Sequence, residues 1–227
     1  MSWKISGAQN LDVAGIANVS LLLHGNGTNG STTITDSSPS PKTVTAVGNA
    51  QISTAQSKFG GASIAFDGTG DYITIAEASG SFTFGTGDFT IEFWLYPSNL
   101  TGAAVIADWR SASQGNFPTL YRDGADLLFL AVNNRITGTS ALTNTVFQHI
   151  ALCKGSNLTR LFVSGIQVGS TYADTTSYLA PQNGSIHFGG FLSVAPMAGF
   201  IDDIRITKGV ARYTSNFSVP SAQFPDI

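Results

Sequence analysis

Two adjacent carboxylates, Asp202 and Asp203, interrupt an apolar stretch at residues 199–206. Because strand side chains alternate between faces, a strand here places Asp203 on the same face as Ile201. Asp202 then lies on the opposite face with Ile204. Neighbours that point apart cannot work as an acid/base pair, and a buried carboxylate needs hydrogen-bond donors or a cation. The stretch therefore predicts a structural metal or an arginine partner, and a role in closing the fold.

Glycoside hydrolysis is the catalysis that paired carboxylates would suggest, and the retaining form needs two carboxyl groups about 5 Å apart. The chain has two glutamates, Glu77 and Glu92, and neither has a carboxylate two or four positions after it. Asp88 precedes Glu92 by four residues, which separates the two by about 13 Å along a strand. This is too far for either glycosidase geometry. The sequence predicts a protein without enzymatic activity.

Aromatic rings beside hydrogen-bonding groups supply the chemistry that sugar binding requires. Asp108, Trp109 and Arg110 follow one apolar segment, and Tyr121 and Arg122 end the next. Strand ends and their loops are where binding residues concentrate. We predict these five residues as a glycan-binding site. The alternative is that the rings cover one face of the fold while the charges pair with one another.

The remaining candidates for chemistry favour structural roles. His24, His149 and His187 lie in separate segments with no accompanying motif, so we predict structural histidines rather than a catalytic or metal cluster. Cys153 is the only cysteine, which excludes an intrachain disulfide and a cysteine-based zinc site. Its apolar surroundings predict an inert packing residue.

Short apolar segments separated by Gly, Asn and Asp recur along the chain and are typical of strands joined by tight turns. In residues 89–97, the odd-numbered positions from 89 to 95 are all apolar and predict a core face. No segment before Lys208 keeps a helical period, and only Lys208–Arg212 has room for one helical turn. The pattern predicts an all-β antiparallel sandwich. The predicted strands are residues 19–23, 62–66, 72–75, 89–97, 103–109, 118–121, 127–132, 146–154, 159–163, 186–189 and 200–207.

The composition limits the classes of partner that the protein is expected to bind. Only 11% of the 227 residues are charged and the net charge is -3, which gives no electrostatic basis for binding nucleic acid or an anionic membrane. We recognise no signal peptide and no apolar run long enough for membrane insertion. Residues 1–18 are predicted as an extended N-terminal arm, and residues 19–227 as one β-sandwich domain.

Four stretches of the chain follow one another in a recognisable order. They are Phe-Asp-Gly-Thr-Gly-Asp-Tyr-Ile at 66–73, Phe-Thr-Ile-Glu-Phe-Trp-Leu-Tyr-Pro at 89–97, His-Ile-Ala at 149–151 with Leu-Phe-Val-Ser-Gly at 161–165, and 199–206 with 211–214 and Phe217. In that order they resemble the concanavalin A-like lectin and laminin G-like jelly-roll superfamily, in the form common in bacteriophage virion proteins, and the resemblance covers residues 19–225. Family members usually have Asp where this chain has Ser164.

The resemblance implies a two-sheet jelly roll whose concave face or edge loops bind glycans. It also implies one structural calcium where the first and last strands meet. Carried over residue by residue, its ligands would be Asn26, Asp36 and Asp203. For Asn26 and Asp36, the alternative from the residues themselves is a turn capped by its own side chains.

We therefore predict a non-enzymatic binding or structural module, located outside the cell on a virion as a phage tail or decoration protein. Its predicted partners are virion proteins and cell-surface glycan, and a homo-oligomer is left open. The alternatives are a free carbohydrate-binding lectin domain and, less favoured, a relative of glycoside hydrolases.

Overall fold

The computed structural model describes residues 18–76, 80–110, 115–190 and 195–226. The predicted arm therefore lies outside the described residues, except for Asn18. Within those ranges the regular structure consists of strands and one 3₁₀ turn, Gln182–Gly184. None of the described residues form a helix that is long and apolar enough to cross a bilayer. The strands are β1 (Val19–Leu23), β2 (Val44–Val47), β3 (Gln51–Ser53), β4 (Ser63–Asp67), β5 (Tyr72–Ala76), β6 (Phe89–Pro97), β7 (Ala103–Asp108), β8 (Thr119–Asp123), β9 (Asp126–Ala131), β10 (Asn133–Gly138), β11 (Gln148–Gly155), β12 (Leu158–Val163), β13 (Ile166–Ala173), β14 (Ser185–Phe188) and β15 (Ala198–Lys208).

The strands form two antiparallel sheets. The first has the order β13-β12-β11-β6-β15-β4-β3, with β1 paired to β15 beside β4. The second has the order β10-β9-β8-β7-β14-β5-β2. The predicted two-sheet antiparallel sandwich is confirmed. The sequence did not predict β2, β3, β10 and β13. The helical turn considered at Lys208–Arg212 is wrong, because β15 extends to Lys208 and the residues after it are irregular.

The core lies between the sheets and follows the predicted alternation of β6. Phe89, Ile91, Phe93 and Leu95 are all completely buried. Phe93 meets Phe188 of the second sheet edge to face, with ring centroids 5.8 Å apart, a favoured aromatic geometry. The inner faces of both sheets thus contribute to one hydrophobic core.

The last strand, β15, contains a β-bulge between Asp202 and Arg205, where its pairing with β6 shifts. Asp203 has a φ of 50° there, a left-handed conformation that Asp tolerates better than most residues. A bulge inserts one residue into the alternation. Ile201 and Ile204 consequently both point into the core, each completely buried. The predicted separation of these two isoleucines onto opposite faces is therefore wrong.

The bulge coincides with a change of partner on the other side of β15. Ile201 is the last residue opposite β4, where it faces Ile64. Ile204 is the first residue opposite β1, where it faces Leu23. Asp203 therefore lies where the ends of two neighbouring strands meet.

Replacing Asp203 with alanine removes its carboxylate and leaves a residue that disfavours positive φ. We expect Asp203→Ala to lower the free energy of unfolding by about 2–4 kcal/mol, measured by urea titration. Asp203→Asn keeps the tolerance of positive φ and should lose less. A change below about 0.5 kcal/mol for the alanine variant, the range of ordinary surface substitutions, would contradict this role for the bulge.

Candidate functional site

Asp203 joins β15 to two other segments of the chain. One carboxylate oxygen lies 2.7 Å from His24 Nδ1, and the other accepts the backbone N–H of Phe224 at 2.8 Å. His24 Nε2 lies 2.9 Å from Asp226 Oδ1. Burial lowers the pKa of His24, but the two carboxylates outweigh it and the net shift is upward. The partner of Asp203 is thus a histidine, where the sequence had predicted a metal or an arginine.

The donors predicted for calcium do not fit a calcium shell. The Asp36 carboxylate already accepts the backbone N–H groups of Leu22, Ser38 and Lys42 and the hydroxyl of Ser38, at 2.8–3.0 Å. This is the self-capped turn that the residues offered as the alternative. Asp203 is engaged as described, and within the described ranges no three His, Cys, Asp or Glu side chains are placed to hold a metal.

Asn26, the third predicted ligand, packs against backbone. Gly60 has a φ of 62°, and a Cβ there would stand 1.8 Å from Asn26 Oδ1. The amide therefore fills the space that a side chain at position 60 would need. The family resemblance implies calcium here, whereas the contacts of Asp36 favour the self-capped turn.

Glu92 is completely buried on the outer side of the first sheet, among cations. Arg205 Nε and its terminal NH₂ each lie 2.8 Å from Oε1, and the Tyr213 hydroxyl donates to Oε2 at 2.9 Å. His149 Nε2 lies 3.3 Å from Oε2, and Arg212 Nε lies 3.6 Å from Oε1. Burial alone would raise the pKa of Glu92, but Arg205, followed by His149 and Arg212, lowers it to about 2. An enclosed, ionised carboxylate cannot act as a general acid.

A row of three cross-strand neighbours crosses the same outer side: His149, Trp94 and Asp202. His149 Nδ1, Trp94 Nε1 and Asp202 Oδ1 are buried without a hydrogen-bond partner among the described residues. Phe59 packs edge-on against Trp94, and Phe217 against His149, at centroid distances of 5.8 and 5.7 Å. These covering rings close the row to a large ligand.

Asp202 has an unusual carboxylate. Its Oδ2 accepts the backbone N–H groups of Lys58 and Phe59 at 2.7 and 3.1 Å. Desolvation by burial nevertheless dominates, and with the nearby negative charge of Asp203 it raises the pKa of Asp202 to about 7. The fold thus binds a proton here that the unfolded chain would release near pH 4.

The outer side of the second sheet brings together three of the five predicted glycan-binding residues. Arg110 Nε lies 2.9 Å from Asp108 Oδ1, and its terminal NH₂ lies 2.6 Å from Oδ2. Thr119 also donates to Asp108, at 3.1 Å. Tyr121 lies two residues after Thr119, on the same side of β8. Its hydroxyl donates to Asn134 at 3.1 Å. Tyr121 is partly exposed and Asn134 is exposed.

The other two predicted residues have structural positions. Trp109 is 1% exposed in the core, and its Nε1 lies 3.3 Å from the carbonyl of Phe82. Arg122 is also buried, and its guanidinium donates to the carbonyl of Gly102 at 2.8 Å. Trp109 is thus part of the core between the sheets, while Asp108 and Arg110 pair with each other as the alternative had it. Neither Trp109 nor Arg122 presents an open surface to a sugar.

Sequence reasoning missed Tyr72 and His187 on this outer side. Their rings meet edge to face with centroids 5.8 Å apart, and His187 lies opposite Asp108 across β14 and β7. Burial outweighs the attraction of Asp108 and lowers the pKa of His187, so the ring is neutral near pH 7. The alternation of β5, with Ile73 and Ile75 inward, was the signal that could have placed Tyr72 outward.

Comparison with protein families matches a model of the concanavalin A-like lectin/glucanases superfamily to residues 67–212. The match covers more than half of the chain and runs from the end of β4 past the end of β15. The chain belongs to this superfamily. A sequence search of curated proteins found no significant match.

Solved structures with this concanavalin A-like fold include the binding domains of clostridial toxins. The botulinum neurotoxin serotype G binding domain is 12% identical with a TM-score of 0.64, over 85% of this chain and 48% of that one. The receptor-binding domain of botulinum neurotoxin D is 15% identical with a TM-score of 0.65, over 86% and 50%. The binding domain of Paraclostridial Mosquitocidal Protein 1 is 16% identical with a TM-score of 0.64, over 86% and 50%. The chain spans about half the length of these domains, and at such identities the likeness shows the fold alone.

Because Asp36 already accepts four hydrogen bonds and both oxygens of Asp203 are engaged, we expect calcium to leave the stability of the protein unchanged. The measurement is the thermal midpoint in excess chelator and in millimolar calcium. A calcium-dependent rise of several degrees, abolished by Asp36→Asn, would show instead that the loop rearranges around an ion.

The raised pKa of Asp202 makes its stability contribution fall as pH rises. The folded-state pKa, about 7, exceeds the usual value of 3.8, so the contribution is fully present below pH 4 and is lost as pH rises through 7. Asp202→Asn keeps an acceptor for Lys58 and Phe59 and cannot ionise. We expect it to be more stable than the wild type at pH 8, by at most about 4 kcal/mol, and to lose this advantage at pH 4.

Denaturant unfolding of both proteins between pH 4 and 8 measures the difference. Asp123→Asn, at an exposed position, is the matched control and should show no such pH dependence. An unchanged difference between Asp202→Asn and wild type at all pH values would refute the assigned pKa.

Proposed function

We propose that the chain is a non-enzymatic carbohydrate-binding domain whose ligand lies on the outer side of the second sheet. The observation that carries this proposal is the position of a partly exposed aromatic ring, Tyr121, on the same side of β8 as Thr119, which bonds to Asp108 together with Arg110. An aromatic face can stack on a sugar ring, while neighbouring amide, hydroxyl and guanidinium groups fix the sugar hydroxyls. Asn134 and Tyr72 extend the same surface.

The covering of the first sheet supports this choice of side. Tyr213 and Phe217 stack on each other with centroids 3.6 Å apart and lie against His149 and Phe162. This segment after β15 fills the outer side of β11 and β12. The corresponding surface of β8 and β10 presents Tyr121 and Asn134 to solvent.

The positions of Asp108 and Glu92 support binding rather than hydrolysis. Asp108 is completely buried and both its oxygens are engaged by Arg110. Glu92 is enclosed on the opposite side of the molecule. Carboxylates held in this way by arginine are not free for the acid/base or nucleophilic roles of a glycosidase.

Similar structures support glycan binding as a class. One is a binding domain of botulinum neurotoxin DC in complex with SialylT, and another belongs to botulinum neurotoxin type C, whose cell entry is dependent on interaction with two ganglioside molecules. We accordingly propose an extracellular protein with cell-surface glycan as partner. Attachment to a phage virion and homo-oligomerisation remain predictions from the sequence.

A glycan array probed with the purified chain tests the function, and variants test the site. We expect Tyr121→Ala to weaken binding of the best glycan about tenfold, the loss of roughly 1.4 kcal/mol that one ring contact supplies. Tyr96→Ala is the matched control, since Tyr96 is a partly exposed tyrosine on the outer side of the first sheet.

Absence of binding across the whole array would overturn the proposed function. Binding that survives both Tyr121→Ala and Tyr72→Ala would keep the function but move the site. Equal losses in Tyr121→Ala and Tyr96→Ala would mean that the variants act through stability, which thermal unfolding of each variant resolves.

A further inference from the structure

A polar cleft of about 430 Å³ lies where β1 begins and β15 ends, built from other elements than the proposed glycan surface. Its volume is within the range of small-molecule sites. It carries two lysines and no acidic side chain among the described residues that line it. Its polar lining residues are Asn18, Ser20, Ser40, Lys42, Ser81 and Lys208.

Both lysines are held in place. Lys42 Nζ donates to the carbonyl of Ser40 at 2.7 Å, and its backbone N–H donates to Asp36 at 2.8 Å. Lys42 is only 8% exposed, so its aliphatic stem is packed against protein. Lys208 Nζ donates to the carbonyl of Gly80 at 2.7 Å. A fixed ammonium loses little conformational entropy when it binds an anion, which favours affinity.

The charges of the cleft contrast with those of the whole chain. The protein has a net charge of -3, yet this cleft is lined by two lysines and by no described acidic residue. Ammonium groups bind carboxylate and sulfate oxygens through charge-assisted hydrogen bonds. The serine hydroxyls and the Asn18 amide beside them are suited to sugar hydroxyls, which both donate and accept hydrogen bonds.

We propose that this cleft binds the carboxylate or sulfate group of an acidic saccharide. Lys42 and Lys208 contact the oxyanion, and Ser20, Ser40 and Ser81 contact the ring hydroxyls. The site is separate from the Tyr121 surface, so each can fail without the other. Two sites on one chain would let it bind two parts of one branched glycan or two glycans at once.

Calorimetric titration of the full chain with three saccharide pairs tests the proposal: uronic acid against the neutral sugar, sialylated against desialylated, and sulfated against unsulfated. We expect the acidic member to bind at least tenfold more tightly in at least one pair, and to weaken several-fold between 50 and 300 mM salt, because screening reduces the attraction. Which pair responds distinguishes carboxylate from sulfate recognition. Equal affinity for both members of every pair would overturn the proposal.

Variants assign the binding to the cleft. Lys208→Gln should abolish the preference for the acidic member, and Lys42→Gln should do the same where it folds, as judged by its thermal midpoint. Arg160→Gln is the matched control, because it removes one positive charge elsewhere on the first sheet. Tyr121→Ala should leave the preference intact, which separates this site from the proposed glycan surface.

Two further results would count against the cleft. If Arg160→Gln lowers the acidic preference as much as Lys208→Gln, the effect comes from net charge rather than from this site. If inorganic sulfate or acetate binds as tightly as the acidic saccharide, the cleft is an anion site without sugar recognition.

Discussion

The burial of Glu92 is the constraint on which much of the molecule depends. A lone ionised carboxylate in the interior would be strongly destabilising, so its charge must be matched at close range. Arg205 supplies two contacts from the neighbouring strand, while Arg212 and Tyr213 come from the segment that follows β15. These contacts with Glu92 therefore hold the segment after β15 against the outer side of the first sheet. Part of the outer side of the first sheet is thereby covered, and the glycan surface that we propose lies on the outer side of the second sheet.

The paired carboxylates of β15 show how one backbone irregularity satisfies two demands. In a regular strand, Asp203 would displace an apolar residue from one face. The bulge instead keeps Ile201 and Ile204 in the core and turns the Asp203 carboxylate to His24 and Phe224. Asp202 separately accepts hydrogen bonds from the backbone N–H groups of Lys58 and Phe59. The carboxylates hold two loops and the segment near residue 224 together, which is a structural rather than a catalytic use.

The fold was predictable because its signal is local and repeated: alternation in β6, turn residues between strands, and four motifs in family order. The bulge was not predictable, because the alternation rule assumes that each successive residue changes face and does not show where an extra residue is inserted. Trp109 was misplaced for a related reason. It follows Asp108 at a strand end, where burial depends on the opposite sheet rather than on neighbours in the chain. Lys42 and Lys208 line the same cleft only because of the topology, so no spacing in the sequence could have placed them together.

The central position of β15 has a consequence for how the protein is made. β1 pairs with β15 and with no other described strand, and β4 and β6 flank β15 as well. During synthesis, the apolar strands β1, β4 and β6 leave the ribosome long before the strand that joins them. Such long-range pairing slows folding and leaves strand edges open to incorrect partners in the meantime. The first sheet is thus completed only after β15 has been synthesised, and until then β1, β4 and β6 lack the strand that lies between them.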